Sequence, residues 1–282
     1  MKNIIFTCST FVLMLSDCKK DENASDPNPT YEGVEQTIGN GKVYSWVKFT
    51  GDKPTSIGMT LAKETLENIS HNGNTSLIIA LPTEAFGKTS FDHIYLDFSH
   101  SGHEPIGIYD VAHFDVYFMM QPNAERSVIP PYLPTTATKF DNLPPTGIMP
   151  VPHFRLPAGM PLMGVHWANP TSTELNVGKF TETLIMDSCD GKMTFIEPMV
   201  SLDLLLTKSN ITKSVPMPAK FAKAGYFPMK YSVKQVSNDA VISLNELMLM
   251  QQLFKYSFYL KMPLILNLRA FFYFPYFGNI NK

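Results

Sequence analysis

Ala112-His113-Phe114-Asp115-Val116-Tyr117-Phe118-Met119-Met120 alternates in chemistry with a period of two. Successive side chains of a strand point to opposite faces. His113, Asp115 and Tyr117 therefore share one side of the segment, and Phe114, Val116, Phe118 and Met120 share the other. The apolar side needs a core to cover it. The polar side lines up an imidazole, a carboxylate and a phenol. The segment predicts a β-rich fold with a chemical surface on one sheet.

Strand-like segments continue outward in both directions. Phe91 to Phe98 precedes the loop Ser99-His100-Ser101-Gly102-His103-Glu104-Pro105, and further upstream lie Val43 to Phe49 and Ser76 to Leu81. Downstream, Thr183 to Met186 and Lys192 to Glu197 flank Asp190-Gly191, a dipeptide that favours a tight hairpin. Leu61 to Ile69 is the best helix candidate, with Thr60 as its cap, and a short helix is expected near Asn123. Met199 to Leu206 fits either a helix or a strand. Residues 121–162 are rich in proline, and a loop of that length is usually functional or wraps the surface. With 22 prolines and 16 glycines to supply turns, the expected fold is mostly β. It would be a β-sandwich or a twisted antiparallel sheet with one or two short helices.

A hydrophobic content of 44% supplies a core, and a net charge of −2 offers no basic surface for nucleic acid. Cys189 stands alone in the body of the chain, which excludes a disulfide framework and a cysteine-type zinc site there. It reads as a buried structural thiol. No Gly-rich phosphate loop or Gly-x-Ser-x-Gly elbow occurs.

The start of the chain reads as an address. Lys2 gives a positive n-region, and Ile4 to Leu15 is apolar but too short for a standard membrane span. Leu15-Ser16-Asp17-Cys18 resembles the lipobox of bacterial lipoproteins, although Asp17 stands where a small residue is usual. Residues 1–18 are thus read as a lipoprotein signal peptide with lipidation at Cys18. Residues 19–34 are a polar tether, and residues 35–246 a single β-rich domain. Residues 247–282 are Met- and aromatic-rich, unlike the rest. That tail is read as an out-of-frame end, or as a membrane- or partner-binding segment. The expected location is exported and membrane-anchored, periplasmic or at the cell surface.

Six of the seven histidines fall between His93 and His166. The row of His113, Asp115 and Tyr117 could meet His103 or Glu104 from the preceding loop, and His166 from Met163-Gly164-Val165-His166-Trp167. Imidazole and carboxylate are the usual ligands of zinc, iron and copper, and also the parts of a general acid–base pair. The candidate metal or ligand residues are His103, Glu104, His113, Asp115 and His166, supported by Tyr117 and Trp167. A hydrogen-bonded network that only fixes strands is the competing reading. Nearby methionines, Met119, Met120, Met149, Met160 and Met163, hint at copper but also suit a core.

Five motifs occur in one order: Phe91-Asp92-His93, Gly102-His103-Glu104-Pro105, His113-Phe114-Asp115, Met163-Gly164-Val165-His166-Trp167, and Gly191-Lys192-Met193-Thr194-Phe195-Ile196-Glu197-Pro198-Met199. Together they resemble an uncharacterised bacterial domain family typified by a sigma-E-controlled protein of Thermus, over residues 35–245. The resemblance implies exported or lipid-anchored members and no known activity. Tyr117 stands where the family pattern has a second histidine, and Ala112 replaces a proline. The first departure removes a potential ligand. The expected function is a lipid-anchored cell-envelope binding or structural module, taking a small ligand or an envelope protein. The alternative is a metal-binding protein or metal-dependent envelope enzyme built on the histidine cluster.

Overall fold

The computed structural model describes residues 26–69, 73–176 and 178–251. Cys18, the signal segment, the start of the tether and most of the atypical tail lie outside these residues. The early strands are β1 (Thr30–Glu32), β2 (Gln36–Ile38), β3 (Gly41–Thr50) and β4 (Lys53–Leu61), followed by helix α1 (Lys63–Asn68). Next come β5 (Thr75–Ala80), β6 (His93–Ser99), β7 (His113–Met119), α2 (Asn123–Arg126), α3 (Ala137–Asp141), β8 (Phe154–Arg155) and β9 (Val165–Ala168). The chain continues through β10 (Glu182–Cys189), β11 (Lys192–Ser201), α4 (Leu202–Leu206), β12 (Ile211–Ser214), β13 (Gly225–Val236) and β14 (Asp239–Met250).

These strands form two antiparallel sheets. The first runs β1-β3-β4-β14-β13-β12, with β2 also paired to β3. The second runs β5-β6-β7-β11-β10-β9-β8. Alternation sets what lies between them. Val43, Val47, Ile57, Met59, Leu61, Ile242 and Leu244 from the first sheet share one cluster with Ile94, Leu96, Phe98, Phe114, Val116, Phe118 and Ile196 from the second. The mostly β, sandwich-like architecture expected from the sequence is what the chain adopts. It carries four short helices rather than one or two.

The strands flanking Asp190-Gly191 pair as a hairpin, and both turn residues have positive φ, +48° and +77°. This is the backbone that an Asp-Gly turn favours. The helix expected from Leu61 to Ile69 begins later. Thr60 and Leu61 belong to β4, and α1 starts after Ala62 with no side-chain cap. Pairing of β4 with both β3 and β14 holds those two residues extended, which overrides a weak local helix preference. Met199 to Leu206 is both structures in turn. β11 ends at Ser201, whose hydroxyl accepts from the Leu204 N–H and starts α4.

The proline-rich stretch lies against the outer face of the second sheet. Phe140 of α3 is buried with Ile129, Val165 and Cys189, and the Arg126 guanidinium sits 4.2 Å from the Tyr95 ring centroid. Burial pushes the Cys189 thiol up to about 11, as befits a packed thiol rather than a reactive one. Both ends of the described chain meet the β3–β4 hairpin. Gly51 N–H donates to the Pro27 carbonyl, and Leu249 lines a shallow hollow with Asp52 and Pro54.

Phe114 has no solvent exposure and packs 4.7 Å, ring to ring, from Phe98 at the centre of the sandwich. Phe114→Ala is expected to cost about 3–5 kcal/mol, seen as a lower urea midpoint with an unchanged slope.

Candidate metal centre and its cleft

All seven residues of β7 are buried. Its inner face meets the other sheet. Its outer face carries His113, Asp115 and Tyr117 in a row, as the alternation requires. The strands alongside extend this face. Register places Asp97 of β6 opposite Asp115 and Tyr95 opposite Tyr117. On the other side, β11 contributes Phe195 and Glu197, and β10 contributes Asp187. The loop between β6 and β7 folds back over this surface. Gly102 makes that return possible: its φ is +72°, and a Cβ there would stand 2.0 Å from the Tyr109 carbonyl oxygen.

That loop delivers His103. Its Nε2 lies 3.6 Å from Asp115 Oδ2, and His113 Nε2 lies 3.3 Å from Asp115 Oδ1. The two imidazole centroids are 4.7 Å apart and nearly perpendicular. His103 Nδ1 donates to the Glu104 carbonyl at 2.7 Å, and His113 Nδ1 donates to the Val111 carbonyl at 2.6 Å. A carbonyl only accepts, so both Nδ1 atoms carry hydrogen. Each neutral ring then presents an Nε2 lone pair to a carboxylate. His113 Nε2 and Asp115 Oδ1 are buried and have no hydrogen-bond partner.

Lone pairs facing a carboxylate repel it unless a cation lies between them. A proton is one such cation. The Asp115 carboxylate beside it is the main cause that raises the His103 pKa, against the opposing effect of burial. Burial pushes Asp115 up, but the two imidazoles beside it prevail and hold it below the usual carboxylate range. A metal ion is the other candidate. Tetrahedral zinc with ligands at about 2.0–2.1 Å sets its donor atoms about 3.3–3.4 Å apart. The two histidine–aspartate separations, one to each oxygen of Asp115, lie near that range. Among the described residues, His103, His113 and Asp115 are the group of three whose ligand atoms all lie within 4.8 Å of one another.

The group opens onto a cleft of about 610 Å³. Asp97, Tyr95 and Tyr117 form its floor, and the segment from Leu156 to Met163 forms a facing wall. Burial first, and then the charge of Asp115, raise the Asp97 pKa.

The other expected residues separate. The Glu104 side chain lies at the cleft rim, outside the cluster, and only its backbone carbonyl engages His103. His166 lines the same cleft but is paired with Asp187, its Nδ1 2.8 Å from Oδ2. Trp167, next on β9, points to the opposite side of the sheet, where it donates to Ser188 Oγ and packs against the main core. Tyr117 is buried beneath the cleft, 5.0 Å from Phe195. Met119 and Met163 pack with these two rings, which is the role of core filler. Asp97, Asp187, Thr194 and Glu197 were not singled out from the sequence. The Phe91–Phe98 alternation offered a signal for Asp97, since it shares a face with Tyr95. Thr194 and Glu197 lie within the Gly191–Met199 motif, which gave them no role, and nothing local marked Asp187.

Glu197 is 1% exposed, and its Oε2 has no partner. Burial, then the charges of Asp115 and Asp187, raise its pKa well above the usual 4.5, with Tyr117 opposing weakly. An acid whose folded pKa is raised contributes stability below its unfolded pKa and loses it as pH climbs toward the folded value. Glu197→Gln removes this ionisation. The melting temperature of the variant, relative to wild type, is therefore expected to rise steadily as pH increases from 4.5, where the two ionisation states diverge. Thermal scans from pH 4 to 8 check this, and a pH-independent difference would contradict it.

No protein-family model, curated protein or solved structure matches this chain.

Proposed function

We propose that this chain is an exported, lipid-anchored binding module whose ligand is a divalent transition-metal ion, with zinc favoured. His103, His113 and Asp115 would hold the ion, and the fourth position would open to the cleft. The observation that carries the reading is the pair of Nε2 lone pairs aimed at a buried carboxylate, with both Nδ1 atoms fixed by backbone carbonyls. Such outer bonds orient histidine ligands in metal sites. The three ligand atoms lie within 4.8 Å of one another, close enough to share one ion. Three protein ligands and an open position resemble a reactive site more than a closed structural one. Export and anchoring rest on the sequence before β1, since Thr30–Glu32 of the expected tether pairs with β3 instead, and membership in the family suggested by the sequence motifs belongs to the same reading without adding an activity.

The full chain, purified in detergent without a histidine tag, is expected to hold one zinc per molecule by elemental analysis. Copper or iron in its place would keep the site and change the ion. His113→Ala is expected to weaken zinc binding at least about 100-fold, since a ligand is lost outright. Affinity should fall with acidification, because a proton on His103 competes with the metal. A folded protein that binds no metal, and whose titration is unchanged by His113→Ala, would refute the proposal. Cys18→Ala is expected to move the protein from the membrane to the soluble fraction of a bacterial host, read by fractionation. Unchanged membrane association would remove the lipid anchor from the reading.

A further inference from the structure

A second chemical group faces the same cleft and takes no part in holding a metal. His166 on β9 lies directly opposite Asp187 on β10, and its Nδ1 is 2.8 Å from Asp187 Oδ2. Asp187 is fully buried. Its other oxygen accepts from the Thr194 hydroxyl at 2.6 Å. The backbone of Gly164 packs so closely that a Cβ there would stand 2.2 Å from Asp187 Oδ1. The carboxylate is thus fixed from two sides, and it fixes the imidazole. A carboxylate only accepts, so Nδ1 carries the hydrogen and Nε2 holds a lone pair. The His166 side chain is 20% exposed, and it reaches solvent through the cleft it lines. An imidazole oriented by a buried aspartate, with its second nitrogen free, is the arrangement of a general base.

The walls select a substrate class. No lysine or arginine is among the described residues lining the cleft, and Asp97, Glu104 and Asp115 occupy one side of it. An anion such as a phosphate ester finds no permanent positive partner there. Leu156, Pro157, Met160, Leu162 and Met163 form an apolar wall suited to a short hydrocarbon chain.

We propose that the cleft hydrolyses neutral acyl esters, with His166 as the general base and Asp187 and Thr194 as positioning residues. Water gives a proton to His166 Nε2 as its oxygen bonds to the acyl carbon. The tetrahedral intermediate collapses, the ester C–O bond breaks, and Nε2 returns the proton to the departing alkoxide. The products are a carboxylic acid and an alcohol, and no reactant besides water is consumed. The activity goes beyond the metal reading and does not require it.

The test uses the full chain in detergent with p-nitrophenyl butyrate as the probe. Wild type is expected to show saturable hydrolysis that survives a chelator. His166→Gln, at a partly exposed position that tolerates the change, should lower kcat at least about 100-fold. Asp187→Asn should lower kcat comparably with KM unchanged, which a stray surface histidine acting on the probe would not show. Thermal melts confirm that each variant is folded. Hydrolysis no faster than buffer overturns the proposal, and so does a folded His166→Gln that keeps the wild-type rate. If activity instead disappears with the chelator and with His113→Ala but persists in His166→Gln, the dyad fails while the metal centre stands.

Discussion

Everything on the outer face of the second sheet depends on satisfying one carboxylate. Asp115 is 1% exposed on a central strand, where an uncompensated charge would cost several kcal/mol. Two imidazoles meet it. His113 comes from the same strand two residues earlier, where strand geometry puts it on the same face. His103 must come from elsewhere, and the β6–β7 loop returns over the sheet to supply it. That return is pinned by His103 N–H donating to the Tyr109 carbonyl, the contact that only a glycine at Gly102 leaves room for. The turn, the loop path and the placement of both rings follow from the need to neutralise this group.

The same face holds two further buried acids, Glu197 and Asp187, and neither is paired with a lysine or arginine among the described residues. A sheet covered only for stability would carry apolar side chains there, since buried charges rarely outperform well-packed hydrocarbons. The inner face of these strands follows that rule closely, with Phe114, Val116, Phe118 and Ile196 in the core. The contrast between the faces separates two tasks. One side holds the sheets together, and the other spends stability on keeping titratable groups in fixed positions. The proline-rich wrap makes this workable, because its Leu156–Met163 segment walls the cleft beside these groups.

What was legible in the sequence was local. The period of two from His113 to Met119 sorted the inner from the outer face of β7 correctly, and Asp190-Gly191 marked its hairpin, because both depend on adjacent residues. What was hidden depended on register. Asp97 faces Asp115, and Asp187 faces His166, only because particular strands pair with particular offsets. A slip of one residue would send each side chain to the other face. Glu104 shows the reverse error. Being next to His103 in sequence does not aim it at the cluster, and its backbone, not its acid, makes the useful contact. Thr60 failed as a cap because pairing on both sides of β4 extends that strand to Leu61.

The convergence of both ends of the described residues on the β3–β4 hairpin has a consequence for orientation. A tether leaving from either of these ends would hold the molecule by one corner of the first sheet. The cleft opens on the far side of the other layer. In the lipid-anchored reading proposed above, the cleft would face outboard, turned from its point of attachment toward whatever diffuses past.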